Sequence, residues 1–462
     1  MKPNILFLVV DSLRFDKVDY EQNKNIKNIE FLKKNGVFFE QEITSSPSTV
    51  PSSACILTGI YPFNSIISDG NRRKLNSKIE TLPDLLKQNG YYVFSFLPKL
   101  LLEVGLEEIF QNKDKEIEKG IRLSNGLSEK ILNVILDCKD KPWFGYIHLM
   151  DIYGDGFMKE EFKNSKYGTN TYDRMISAMD FELGSILKKI NMEETIVILT
   201  GDHGTDDGLY SIEMEKRKRW VYDYNSDLSY ILLKKMIKFF PEFIINNLKK
   251  EKILHHFQKK IIKKRQKFKI NEVKKIKTST RQRRMLINSI DPIYQGFDDR
   301  LRIPLILSGF GIPKEKIISQ QVRSVDILPT ICEILKIKNE DKINGISLLP
   351  LMEGKKIPEK SIYIESSANW GTVVTQNVIG LRNSSFKYFR DKDNLKNIHL
   401  FDLKNDIYEE ENIKSKHPDI IKKMEDELQE ILSQRFDHNQ SNLIGDDESK
   451  AIEEELKKLG YL

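Results

Sequence analysis

Four residues of this chain have types and settings that suit chemistry. Asp11 ends the apolar run Asn4–Val10, in Val9-Val10-Asp11-Ser12. Asp202 and His203 follow the apolar run Thr195–Leu199, in Thr200-Gly201-Asp202-His203-Gly204. Thr49 stands in Ser48-Thr49-Val50-Pro51-Ser52-Ser53. Two carboxylates and an imidazole are hard or borderline ligands that could hold one divalent cation and leave a position open. A cation lowers the pKa of a coordinated oxygen acid, so a threonine hydroxyl could react there as the alkoxide. It would also neutralise charge on a phosphate or sulfate oxygen in the transition state. Pro51 and the residues after it read as a helix start, whose amides would face the same anion. Taken singly these residues are ordinary: a strand-end turn acid, an Asp-His-Gly turn, a turn threonine. Their joint placement at strand ends carries the argument. Mn or Zn suits the set best, whereas Ca or Mg would want more oxygen ligands.

The elements that must position them follow an α/β alternation. Asn4–Val10, Tyr91–Leu97, Trp143–Met150, Thr195–Leu199 and Ile303–Leu307 are short apolar runs that predict buried strands. Thr81 caps an expected helix that Pro83 enters and Gly90 ends. Helical spacing runs through Tyr172–Ile190, and Val325–Leu335 is a further helix. Strands alternating with helices predict a mostly parallel sheet covered on both faces, with its site at the C-terminal strand ends. The pattern shortens from about Lys355, with strand-like pieces at Ser361–Glu365, Val373–Leu381 and Phe386–Arg390. The expected organisation is an α/β catalytic domain over 1–354, a basic helical insertion over 208–296, an α+β subdomain over 355–440 and a helical tail over 441–462.

Charge is unevenly spread over the 462 residues. Leu233–Arg284 carries 19 Lys/Arg against three acidic residues, a net of +16, so the rest carries −10 of the total +6. Such a block is a solvated surface or a contact for an anionic partner, and peripheral attachment to an anionic membrane through 233–284 is one expectation. It lacks an ordered aromatic pattern, which argues against nucleic acid. Three cysteines exclude a disulfide scaffold. No apolar run reaches the roughly 18 residues of a membrane span. No basic segment precedes the first apolar run, so the expected location is cytoplasmic, with the inner membrane face as an alternative. Oligomeric state is left open.

These same positions carry a resemblance. The chain is similar to sulfatase-like proteins of the alkaline phosphatase superfamily in Asn4–Asp11, Pro51–Pro62, Thr81–Tyr91, His148–Asp151, Gly201–Gly204, Phe297–Pro304, Val325–Thr330, Asn344–Leu348 and His399–Asp406. The segments occur in order and span the chain except for the basic insertion. The resemblance implies an alkaline-phosphatase-like α/β core, a small C-terminal subdomain and a metal-dependent ester hydrolase.

Several departures refine that implication. Sulfatases carry Cys or Ser, then x-Pro-Ser-Arg, ten residues before the Gly of Leu-Thr-Gly, and oxidise the first to formylglycine. Ten residues before Gly59 stands Thr49, which that oxidation does not use, and Ser53 replaces the Arg. A second register starts at Ser45, fourteen residues before Gly59. No formylglycine is expected. Threonine resembles the phosphodiesterase and the phosphoglycerol or phosphoethanolamine transferase branches, which work through phospho-threonine. A sulfo-threonine lacks the exit that a formylglycine hydrate offers, which favours phosphate over sulfate. The paired Asp of sulfatases is Asp11-Ser12 here, and a His is replaced by Tyr153. By resemblance Asn71, His148 and Tyr153 touch substrate, and Asp151 with Asp155 are candidates for a second cation. The substrate is then a small-molecule, glycan or lipid ester. Alternative outcomes are transfer of a phospho-head-group to a glycan or lipid, or a catalytically weakened relative that binds a polyanion.

Overall fold

The computed structural model describes residues 2–69, 72–118, 121–138, 141–152, 158–205, 279–290, 296–339, 342–366, 378–392 and 397–436. The chain divides into two compact units. One comprises Met1–Thr205, Gln295–Ser367 and Asn377–Leu462, the other Asp206–Tyr294 with Ala368–Gln376. Of the second unit only 279–290 is described, mostly as the helix Thr280–Ile290. The rest of the expected basic insertion and the 441–462 tail lie outside the described residues.

The strands of the first unit run β1 Asn4–Val10, β2 Gly36–Ile43, β3 Ile66–Asp69, β4 Arg72–Leu75, β5 Tyr92–Phe96, β6 Trp143–Leu149 and β7 Thr195–Gly201. After the insertion come β8 Arg302–Gly309, β9 Lys316–Ile318, β10 Val322–Arg323, β11 Ile362–Ser366, β12 Val378–Arg382, β13 Phe386–Asp391 and β14 His399–Asp402. The main sheet is ordered β10-β2-β8-β7-β1-β6-β5, with β9 on β2. All its pairings are parallel except those of β8, which runs antiparallel to β2 and β7.

β1 shows why the sheet is covered twice. Every residue from Ile5 to Val10 is fully buried. Strand side chains alternate between faces, so Ile5, Phe7 and Val9 join one core and Leu6, Leu8 and Val10 the other. The first core takes in helices Thr49–Thr58, Leu82–Gln88 and Ile327–Leu335. The second takes in Lys27–Lys34, Leu127–Asp137 and Thr171–Leu187. Burying one such side chain contributes about 1.5–3 kcal/mol, so the apolar run stays a central strand. Thr81 caps its helix as expected, and Asp84 completes a capping box with it.

The C-terminal part is an antiparallel sheet, β11-β12-β13-β14. Helix Pro418–Leu432 lays Ile421, Met424, Leu428 and Leu432 into its core, a spacing that keeps them on one face. Among the described residues no helix is long and apolar enough to cross a membrane.

Candidate functional site

The site is assembled by strand register. Val10 of β1 pairs with Leu149 of β6 on one side and Gly201 of β7 on the other. The three central strands therefore end level, so Asp11 and Asp202 arrive side by side, with His148 set two residues further back on β6. Thr49 opens the helix Thr49–Thr58, which lies against the Val9 face and carries no side-chain cap at Ser48. That helix ends on Gly59 in the left-handed conformation, φ 68°, which glycine adopts without steric cost.

One ligand atom from each of Asp11, Asp202 and His203 lies within 4.8 Å of the other two. Thr49 Oγ1 stands 3.4 Å from Asp11 Oδ2 and 3.2 Å from His203 Nε2. Nδ1 of His203 is 2.8 Å from the Gly204 carbonyl. A carbonyl only accepts, so Nδ1 carries a proton, and in the neutral ring Nε2 is left with the lone pair on the cluster side. A Cβ on Gly204 would fall 2.1 Å from the Asp299 carbonyl oxygen, so the turn after His203 admits only glycine without backbone movement.

Ser12 organises both carboxylates. Its hydroxyl donates to Asp11 Oδ1 at 2.7 Å, and its amide donates to Asp202 Oδ1 at 2.9 Å. To reach both it adopts φ 64°, a left-handed conformation that costs about 1 kcal/mol or more for a residue with a Cβ. The Tyr172 hydroxyl donates to the Ser12 carbonyl at 2.6 Å and accepts the Arg14 amide at 3.1 Å. One oxygen of each carboxylate is thus spoken for. Asp202 Oδ2 is buried with no hydrogen-bond partner.

Electrostatics point the same way. Burial acts to raise the Asp11 carboxyl, yet the His148 and His203 rings in their charged form and the Ser12 hydroxyl draw it down to about 2. Burial pushes the Asp202 carboxyl up, and the negative charge of Asp11 adds to that. Two buried carboxylates with an unpartnered oxygen and an imidazole lone pair fit a divalent cation, which would relieve their desolvation and repulsion together.

The structure brings Asp11, Thr49, His148, Asp202 and His203 into one cluster. Asp151 is half-buried; its Oδ1 accepts the Leu123 amide at 2.9 Å and its shielded Oδ2 has no hydrogen-bond partner. Burial raises it to about 7 against that amide and the Arg122 charge. Tyr153, Asp155 and Asn71 lie outside the described residues. Ser45, the other candidate nucleophile, is fully buried, and its carbonyl accepts the Glu365 amide at 2.8 Å. Cys55 is buried in the core that joins β2 to the C-terminal sheet. The contributions of Ser12 and Tyr172 have no local signature, because they join positions 160 residues apart.

Comparison with known proteins follows the same line. Residues 3–228 match the sulfatase family model, and residues 295–434 match that of the C-terminal region of N-sulphoglucosamine sulphohydrolase. Arylsulfatase K of Gallus gallus is 28% identical over 144 residues, covering 30% of this chain and 27% of that protein. The match therefore spans about a quarter of the length of that relative. Among solved structures, the phosphonate monoester hydrolase of Agrobacterium radiobacter superposes with a TM-score of 0.65 at 14% identity, over 96% of this chain and 99% of that one. A protein solved with its substrate D-glucosamine-2-N,6-O-disulfate gives 0.63 at 16% identity, over 96% and 100%. Identities this low speak for the fold. Together with the two family models they show that the chain carries a sulfatase-family domain over residues 3–228 on an alkaline-phosphatase-like fold.

Proposed function

We propose that this protein is a metal-dependent, sulfatase-like ester hydrolase whose nucleophile is Thr49 and whose preferred substrates are phosphate esters or phosphonates. The observation that carries this is the position of Thr49 Oγ1, 3.4 Å from Asp11 Oδ2 and 3.2 Å from His203 Nε2. Asp11, Asp202 and His203 would hold the cation, Mn or Zn by the chemistry of the set. When bound, it supplies a Lewis acid that favours the Thr49 alkoxide and offsets negative charge on the ester oxygens.

The chain's own residues do the rest. Thr49 Oγ1 attacks phosphorus, the bond to the ester alcohol breaks, and the alcohol leaves with the proton that the hydroxyl gave up. Water then cleaves the phospho-threonine, releasing the acid and restoring the hydroxyl. The uncapped amide end of helix Thr49–Thr58 faces the developing charge. A threonine ester of sulfate has no comparably easy exit, so sulfate esters are the weaker substrate class.

The test is hydrolysis of matched aryl esters (phosphate monoester, phosphate diester, phosphonate, sulfate) by protein stripped and reloaded with Mn, Zn, Mg or Ca. Metal-dependent phosphoester or phosphonate cleavage, lost in Thr49→Ala and partly kept in Thr49→Ser, is expected. Sulfate cleavage that survives Thr49→Ala would refute the nucleophile and point to Ser45. A second reading, transfer to an alcohol on a glycan or lipid, draws on the +16 charge of Leu233–Arg284. It predicts that an added alcohol acceptor captures the phosphoryl group in place of water, and that anionic vesicles retain the protein in a salt-sensitive way. Stoichiometric cation binding with no turnover on any ester would favour a polyanion-binding relative.

A further inference from the structure

His148 has no part in the scheme above. Its side chain is wholly buried, and neither ring nitrogen has a hydrogen-bond partner. A buried polar group left so is unfavourable, which asks for a compensating interaction. Nε2 stands 3.6 Å from Asp11 Oδ2 and 3.8 Å from Asp202 Oδ2. These separations are too long for hydrogen bonds. They are close to the edge of a coordination polyhedron, since ligand atoms about 2.1 Å from a four-coordinate ion lie roughly 3.4 Å apart. The gap between His203 Nε2 and Asp202 Oδ2, 3.4 Å, is of the same kind.

Exposure sets the direction of approach. Asp202 and His148 are 0% exposed, whereas Thr49 retains 9% and the His203 side chain 12%. Substrate therefore arrives on the Thr49 and His203 side, and His148 lies beneath the carboxylates. It reaches that place because it precedes Leu149 on β6 and pairs with Val9, two residues before Asp11.

Resting on the cation reading given above, we propose that His148 Nε2 is a further protein ligand to the same ion. The set then comprises two carboxylates and two imidazoles, from Asp11, His148, Asp202 and His203. Four protein donors would complete a four-coordinate shell and close the floor of the site, so Thr49 or the ester would join as a fifth ligand from the exposed side. A second imidazole also tilts selectivity away from Mg and Ca, which prefer oxygen donors, and toward Mn or Zn.

Pulsed electron paramagnetic resonance on the full-length protein, stripped and reloaded with one equivalent of Mn(II), tests this by counting directly bonded nitrogens. Two imidazole nitrogens are expected in the wild type, and one in each of His203→Ala and His148→Ala. One nitrogen in the wild type, absent in His203→Ala, overturns the proposal while leaving the cation site intact. Failure to bind one equivalent of Mn(II) overturns the cation site itself, and this inference with it. The wild-type and His203→Ala measurements decide the matter even where His148→Ala does not fold.

Discussion

Ser12 shows how much of the site depends on the residues that orient its carboxylates. The resemblance leads one to expect a second acid at that position, and serine supplies two donors instead. One goes to Asp11 Oδ1 and the other to Asp202 Oδ1, so the carboxylates are oriented and the site carries one negative charge fewer. Ser12→Ala removes the hydroxyl bond but keeps the amide bond. A cation affinity about 10-fold weaker is expected by chelator competition, the scale on which outer groups tune a metal site. Ser12→Gly loses the same bond but relieves the left-handed backbone, so its unfolding midpoint in urea should lie above that of Ser12→Ala. At Thr49 the effect is on turnover. Thr49→Ala should lower kcat/KM on the best phosphoester by at least ~10³-fold while leaving the cation bound, as expected for loss of an attacking atom.

At the scale of elements, the turns matter more than the strands. β1, β6 and β7 are apolar enough to bury themselves on both faces, and a single truncation there is a matter of stability. The turn after β7 is different, because Gly204 meets the Asp299 carbonyl oxygen and donates its amide to the Arg300 carbonyl at 2.8 Å. Gly204→Ala must push that backbone aside. We expect a loss of about 1–3 kcal/mol in denaturant titration, together with weakened cation binding because His203 moves with the turn. The Thr81 capping box sits on a helix away from this turn. Thr81→Ala should cost about 1 kcal/mol and leave cation affinity unchanged, which makes it a control for destabilisation alone.

At the scale of the first unit, buried charge ties the small antiparallel sheet to the main one. Asp298, just ahead of β8, accepts from Arg382 of β12 at 2.8 Å and from Lys387 of β13 at 2.6 Å. Lys387 also pairs with Glu409 at 2.8 Å and is fully buried. Burial acts to raise the Asp298 carboxyl, but the Arg382 and Lys387 charges hold it well below the ordinary carboxylate range. A carboxyl depressed in the folded state adds stability that is present above its unfolded value near 3.8 and is lost as pH falls below it. Asp298→Asn should therefore cost about 3–5 kcal/mol at neutral pH, because buried Arg382 loses its carboxylate partner and Lys387 keeps only Glu409. It should also flatten the acid limb of the stability–pH curve, as read from urea midpoints between neutral pH and roughly pH 3.

The sequence by itself determined the elements and the ligand types. β1 is Asn4–Val10 as its apolar run predicts, and the Thr81 cap is formed as expected. Asp11, Thr49, Asp202 and His203 stand together because each lies at the end of an element whose pattern is local. Other features are not local. β8 is antiparallel and inserted between β2 and β7, which no periodicity announces, since a strand buried on both faces reads alike in either direction. β2 mixes polar residues into its run, whereas the helices Lys27–Lys34, Leu127–Asp137 and Pro418–Leu432 do carry apolar residues at helical spacing, a signal that was present along the chain. Only the tertiary structure decided that Ser12 turns left-handed, that Tyr172 holds it from 160 residues away, and that His148 lies beneath the carboxylates. Composition and spacing fix what a residue can donate or accept. Strand register and helix packing fix which atoms meet, and a site for a cation exists only where they do.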